Sequence, residues 1–283
     1  MTKVLVLGNC QARPLGMLLE RFAGFELLDP VILHLAKEAD QAAHEAAIAE
    51  ADLILAQRTD DAFAVAHLRS SHLRQTQGAR TIIWPNLFFS GQQPYLRYVT
   101  HRTLGRLPSP LADYHDLRLL RDWFAARKGI AYRDKITAPD YVETFAARSL
   151  TSLRDREAEC DIGVADLVAE RHASQPMFFS FNHPRLWLLA RLGERILAHI
   201  DHPTEIDTDG MKEPLGRIQP PGNETIGDIP IQGVEVSLGP DEKVTLGQVR
   251  PYDGASLRQA VYSCYDHIET HMHPDALRTT PNG

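Results

Sequence analysis

The sequence predicts an α/β fold: a doubly wound, mostly parallel sheet joined to a more helical part and an irregular C-terminal region. Short unbroken aliphatic runs alternate with amphipathic stretches over roughly the first hundred residues, and the runs lack the polar alternation of a sheet with one wet face. Strands spaced by helices of that length need right-handed crossovers, which lay the strands parallel. At 283 residues, 43% hydrophobic and 24% charged, the chain can fill one large core or a core with a substantial appendage.

Residues 4–7 read as the first strand, buried on both faces. Leu15, Leu18, Leu19 and Phe22 then fall at i, i+3, i+4 and i+7, the stripe of an amphipathic helix, and Gly24 stops it. A second strand is expected over 25–33, interrupted near Pro30, followed by an alanine-rich helix over 37–50 and a third strand over 52–57. Residues 62–74 predict a helix with Phe63, Ala66 and Leu73 on its apolar side, and 80–84 a fourth strand ended by Pro85-Asn86. The pattern then changes. Residues 111–128 and 141–171 look helical, the latter broken near 161–163, and 177–181 is a short strand. Asn182-His183-Pro184 introduces a helix to about 200, with Pro184 at its first position and His183 as its cap. Residues 203–255 are rich in proline and glycine and predict irregular chain with short strands at 234–238 and 244–249. A last helix is expected over 256–271, and the tail at 279–283 is expected to fray. The organisation expected is a parallel-sheet subdomain over 1–104 and a helical and irregular subdomain over 105–283.

Composition excludes several classes. A formal charge of −7 lacks the basic footprint of general nucleic-acid binding. The apolar runs fall short of the roughly 20 residues of a membrane span, and the N-terminal run reads as a strand rather than a signal peptide. Three scattered cysteines make no disulfide framework and no Cys-x-x-Cys zinc pair, so a reducing cytoplasm is expected. His271-Met272-His273 has no ligand partner at suitable spacing and reads as solvated surface, so no metal is expected. The glycine fingerprints of dinucleotide and triphosphate sites are missing.

In such sheets the ligand lies beyond the carboxyl ends of the strands. Asn9-Cys10-Gln11, Gln57-Arg58-Thr59 and Pro85-Asn86-Leu87 should therefore converge. Cys10 falls between a strand and the first turn of a helix, where unpaired N–H groups and the helix dipole favour a thiolate and can hold an oxyanion. A small cysteine filling space is the competing reading. Among thirteen histidines, His183 is placed best to serve as base, an exposed capping role being its alternative, and His115 in Asp113-Tyr114-His115-Asp116 is the reserve. Asn86 can donate to an oxyanion or simply form a turn. Arg13, Arg58 and Arg185 flank these loops and together can bind a phosphorylated acyl carrier, although each alone also reads as a surface arginine.

Gly8-Asn9-Cys10-Gln11, Pro85-Asn86-Leu87-Phe88-Phe89-Ser90-Gly91 with Pro94, Tyr114-His115, and Phe181-Asn182-His183-Pro184 occur in that order. This set resembles the WcbI-type polysaccharide-biosynthesis acetyltransferases of bacterial capsule pathways. The resemblance implies a coenzyme A-binding protein that acetylates a sugar, with Cys10 and His183 catalytic and Gln11, Asn86 and His115 lining the site. Asn182, beside His183, is expected among the cofactor-binding residues with Gln11, Asn86, His115, Arg13, Arg58 and Arg185. One departure is visible: Gly91-Gln92-Gln93-Pro94 stands where the pattern calls for a histidine and a following acidic residue. The layout is also similar to that of SGNH hydrolases and flavodoxin-like sheets, by arrangement only. The residues thus predict an acyltransferase with an acyl-coenzyme A donor and a saccharide acceptor. An esterase or thioesterase using Cys10 and His183, and a non-catalytic binding protein, remain as alternatives.

Overall fold

Residues 1–222 and 230–280 are described by the structure, a computed structural model. In chain order the first elements are β1 (Lys3–Gly8), α1 (Ala12–Ala23), β2 (Glu26–Leu27), β3 (Val31–Ile32), α2 (Gln41–Glu50), β4 (Leu53–Gln57), α3 (Ser70–Gln77) and β5 (Thr81–Trp84). There follow β6 (Leu96–His101), β7 (Gly105–Arg106), β8 (Tyr114–Asp116), α4 (Leu117–Lys128), α5 (Tyr141–Glu157), α6 (Ala165–Arg171), β9 (Phe178–Ser180), β10 (His183–Pro184) and α7 (Leu186–His199). The chain ends with β11 (Ile231–Leu238), β12 (Val244–Tyr252), α8 (Gly254–His267) and β13 (Leu277–Thr280).

Contacts divide the chain into two compact units. One comprises Met1–Phe88, Leu150–Arg171 and Asn182–Leu215, the other Phe89–Ser149, His172–Phe181 and Gly216–Gly283. This differs from a single cut at 104/105, because later helices return to the first unit, α7 packing on α1. The apolar stripe of α7, with Leu188, Leu189, Leu192 and Ile196 fully buried, is one such case. It lies against α1, and a Cβ added at Gly193 would come within 2.9 Å of Ile206 and 3.7 Å of Leu15 and Leu19.

In the first unit the parallel order is β2-β1-β4-β5, with β3 also on β1. The expected break near Pro30 is present: Lys3 and Val4 pair with β2, and Leu7 and Gly8 pair with β3. Leu5, Leu7, Ile54, Ala56 and Ile83 share one buried cluster with Ile48 of α2 and Leu73 of α3. Strand alternation sends Val4 and Val6 to the opposite face. Both sheet faces are therefore covered, as a doubly wound fold requires. The open edge at β5 is occupied by Asp161, whose carboxylate accepts from Ile83 N–H (2.7 Å) and whose N–H donates to Ile83 O (2.9 Å).

Several expected boundaries move. The helix expected over 62–74 starts at Ser70, because Thr59 N–H donates to Ser70 Oγ and Ser70 N–H to Thr59 Oγ1, both at 2.9 Å. Only a short 3₁₀ turn, Ala66–Leu68, precedes it. The helix expected from 111 begins at Leu117, where Asp116 caps it by accepting from Arg118 N–H (2.8 Å), and Tyr114–Asp116 instead pairs with β6. His183 and Pro184 form β10, so Arg185, not His183, is the cap residue of α7. The last helix starts two residues early on an Asp253–Ser256 capping box, and Glu269–His271 is a separate 3₁₀ turn. Thr279 and Thr280 do not fray but pair with β6, while 281–283 lie outside the described residues.

The second unit is built on an antiparallel sheet, β13-β6-β7 with β8 on β6, beside the hairpin of β11 and β12. Gln92 is 1% exposed and fully engaged there: Nε2 donates to His172 O and Gln175 O, both at 2.7 Å, and Oε1 accepts from Met177 N–H (2.8 Å) and Phe178 N–H (3.1 Å). His115 is also in this unit, 1% exposed on β8. Its Nε2–H donates to Leu107 O (2.9 Å), which leaves Nδ1 to accept from the Tyr265 hydroxyl (2.7 Å).

Burial pulls the His115 pKa down to about 4. Between there and the about 6.5 of an exposed histidine, the unfolded chain takes a proton that the folded chain refuses. Stability should therefore be complete above about pH 6.5 and fall as the pH drops towards 4, by roughly 3 kcal/mol for this group at the limit. Urea denaturation across that range should show the slope, and His115→Phe should flatten it while lowering the plateau.

Candidate active site

The site grows from the carboxyl end of β1. Gly8 ends the strand directly against the buried Trp84 of β5, and a Cβ there would lie 2.8 Å from the indole. Only glycine fits this approach. Asn9 then turns the chain into α1: its carbonyl accepts from Ala12 N–H (3.0 Å) and its Oδ1 from Gln11 N–H (2.9 Å). Asn9 N–H donates to Gln57 Oε1 at the end of β4 (3.0 Å), and Asn9 Nδ2 donates to Asn86 Oδ1 just beyond β5 (3.2 Å). Three strand ends meet in one turn, as doubly wound topology predicts.

Gln11 closes that turn from inside. It is fully buried. Its Nε2 donates to Leu87 O (2.8 Å) and Asn182 O (2.9 Å), and its Oε1 accepts from Leu87 N–H (3.2 Å) and Gln57 Nε2 (3.1 Å). Both donors and both acceptor positions of the amide are thus matched within the protein. Gln11 was expected to line a cofactor; the geometry makes it a tie instead. It joins the residue after Cys10 to the residue before His183, across 171 positions of sequence.

Cys10 is half-buried, one residue ahead of Gln11, the cap of α1. Burial pushes its thiol above the ordinary value, and the hydrogen bond from its own backbone N–H opposes that shift less strongly. The thiolate expected at this helix start is therefore not the resting form. The expected supply of free N–H donors is also reduced, since those of Asn9, Gln11 and Ala12 already have acceptors. Cys160 and Cys264 are pushed further, each to about 12, by burial.

The remaining expected residues separate into groups. Asn182, His183 and Arg185 are all in the first unit and partly buried. Burial lowers the Arg185 pKa, and the opposing Glu213 carboxylate accepts from Leu186 N–H (2.8 Å). Arg13 is exposed in the first turn of α1. Arg58 turns to Glu159 (2.6 Å). Asn86 sits beside Asn9, its Oδ1 accepting from Asn9 Nδ2 (3.2 Å). His115 belongs to the second unit, with both ring nitrogens engaged. Gln57 was expected at a converging strand end but was given no role, and Trp84 was not foreseen as a site residue. A polar amide closing the aliphatic run Leu53-Ile54-Leu55-Ala56 was the available signal for Gln57.

Residues 3–205 match the family model described as the polysaccharide biosynthesis enzyme WcbI. The chain belongs to the WcbI family. A solved structure described as WcbI, a polysaccharide biosynthesis enzyme, shares the fold with a TM-score of 0.72 and 17% identity, over 95% of this chain and 90% of that one. That protein is described as the native form without a disulfide bond between coenzyme A and one of its cysteines. No curated sequence relative matches. As a member of the WcbI family the chain is a polysaccharide biosynthesis enzyme. Among the described residues no helix is long and apolar enough to cross a membrane, and no group of three or more His, Cys, Asp or Glu could hold a metal ion.

Two outcomes follow from this geometry. Alkylation of Cys10 by iodoacetamide, read by peptide mass spectrometry, should rise with pH about a midpoint above that of an ordinary cysteine, ahead of Cys160 and Cys264. Gly8→Ala should cost about 1–3 kcal/mol in chemical denaturation by forcing Trp84 aside and should also change the rate of Cys10 alkylation.

Proposed function

We propose that this WcbI-family enzyme is an acyltransferase that takes an acyl group from coenzyme A and delivers it to a carbohydrate hydroxyl, with Cys10 as nucleophile and His183 as proton shuttle. The observation that carries the reading is the Gln11 amide, which holds the Cys10 turn against the Asn182 carbonyl, next to His183. The coenzyme A and cysteine named together for the structurally similar WcbI protein support coenzyme A as donor and a cysteine at the site.

Coenzyme A supplies the acyl group as a thioester. Arg185, half-buried at the start of α7, and Arg13, exposed at the start of α1, fit its phosphates; Arg58 fits only by exchanging Glu159 for them. Because burial keeps Cys10 protonated at rest, its attack requires a base. His183 takes the thiol proton as the sulfur adds to the acyl carbon, and returns it to the departing sulfur. In the second half His183 takes the proton of the sugar hydroxyl, whose oxygen replaces the Cys10 sulfur on the acyl carbon, and hands that proton to the departing Cys10 sulfur, which restores the resting thiol. The Nδ2 of Asn86 offers a donor for the oxyanion of each step. The protonated resting thiol also suits a direct transfer, in which His183 activates the sugar and Cys10 only shapes the site. Ping-pong kinetics separate the two routes.

Incubation with acetyl-coenzyme A followed by intact-mass spectrometry should show one added acetyl group on the wild type and none on Cys10→Ala. His183→Ala should retain cofactor while losing about 10²–10⁴ in transfer rate. An acetyl adduct of equal yield on Cys10→Ala, or transfer unaffected by His183→Ala, would overturn the assignment.

A further inference from the structure

We infer that Gln57 is a positioning residue for the reaction: it fixes the orientation of the Gln11 amide, and through it how the Cys10 turn meets the His183 segment. The inference rests on the Cys10–His183 reading above. Gln57 closes β4 after four aliphatic residues and is 4% exposed, a place where packing alone would be served by another aliphatic side chain. Burying an amide there costs free energy unless its groups are satisfied.

They are satisfied, and in one orientation only. Gln57 Oε1 faces Asn9 N–H, an obligatory donor, at 3.0 Å. Its Nε2 faces Gln11 Oε1 at 3.1 Å and Asn9 Oδ1 at 3.5 Å. Gln11 Oε1 is itself identified by the donor Leu87 N–H, and Gln11 Nε2 by the carbonyls of Leu87 and Asn182. Asn9 Oδ1 is identified in the same way by Gln11 N–H. Backbone groups thus settle every amide in the cluster. A flipped Gln57 would set donor against donor at Asn9 and acceptor against acceptor at Gln11. Gln57 touches neither Cys10 nor His183 in any of these bonds. It acts by holding both flanks of Cys10: its Oε1 accepts from the Asn9 N–H and its Nε2 donates to the side-chain Oε1 of Gln11.

Gln57→Glu tests this with almost no change of shape. Its carboxylate would face two acceptor oxygens; its acid form can donate to Gln11 as the amide does. Buried among acceptors, that acid should titrate above the ordinary carboxylate range. In the absence of any cofactor, the rate of Cys10 alkylation in Gln57→Glu, as a ratio to wild type, should differ from one by about five-fold near neutrality. The ratio should return towards one as the pH falls through the acid's titration. Acyl transfer by the variant should lose about ten-fold in kcat, with KM nearly unchanged. A folded variant, by circular dichroism, whose ratio stays at one across the pH range overturns the role of Gln57, even where acyl transfer itself stands. A pH-dependent ratio in a protein whose wild type shows no Cys10-dependent transfer overturns the acyltransferase reading and leaves Gln57 as the fixer of the turn. Should Gln57→Glu fail to fold, Gln57→Met decides: altered alkylation in a folded protein supports the role, and wild-type alkylation and kcat overturn it.

Discussion

The first unit depends on one buried amide. The Gln11 side chain makes four hydrogen bonds that tie the start of α1 to three pieces of chain: two to Leu87 in the loop beyond β5, one to the end of β4 and one to the Asn182 carbonyl. A side chain in that position is costly to desolvate and costly to leave half-matched, so a fully satisfied network specifies one geometry and penalises its neighbours. The sheet supplies the coarse convergence of strand ends, and the amides supply the fine register. An aliphatic side chain at 11 could fill the same volume without saying where the segment at 182 should stop.

That rigidity has an electrostatic consequence. The same packing that orients Cys10 removes water from it, and the backbone donors that a bare helix start would offer are spent on holding the turn. Desolvation therefore outweighs the local hydrogen bond, and the thiol is raised rather than lowered. A nucleophile kept protonated is quiet towards adventitious electrophiles and becomes reactive when a base takes its proton. In the proposed reaction His183 is that base, so a low thiolate content at rest is offset by a partner from far along the chain.

What could be read from the sequence follows how local each signal is. The aliphatic run at 4–7, the helix stripe of Leu15, Leu18 and Leu19, and the interruption at Pro30 are local, and each stands where expected. Boundaries set by distant partners were not legible. Ser70 begins a helix because Thr59 answers it, and Asp116 caps one because Tyr114 has paired with β6. The sulfur and the segment holding His183 were identifiable by residue type and flanks, whereas Gln57 and the tying role of Gln11 appear only when partners 46 and 171 positions apart are known. The thiolate expectation failed on burial: a strand-to-helix junction advertises free donors, Asn9 takes those of Gln11 and Ala12 locally, and only tertiary structure reveals how far Cys10 is desolvated.

The second unit repeats the device at Gln92, and this bears on the one visible departure from the family pattern. A glutamine stands in the segment where a histidine was expected, and its amide is consumed by the carbonyls of His172 and Gln175 and the N–H groups of Met177 and Phe178. An imidazole has two ring nitrogens and cannot meet two carbonyls and two N–H groups at once. An imidazole could not take the place of Gln92 in these four bonds. Gln92 is committed to holding the chain at Met177 and Phe178 within its own unit, and its amide has no group left over for a ligand.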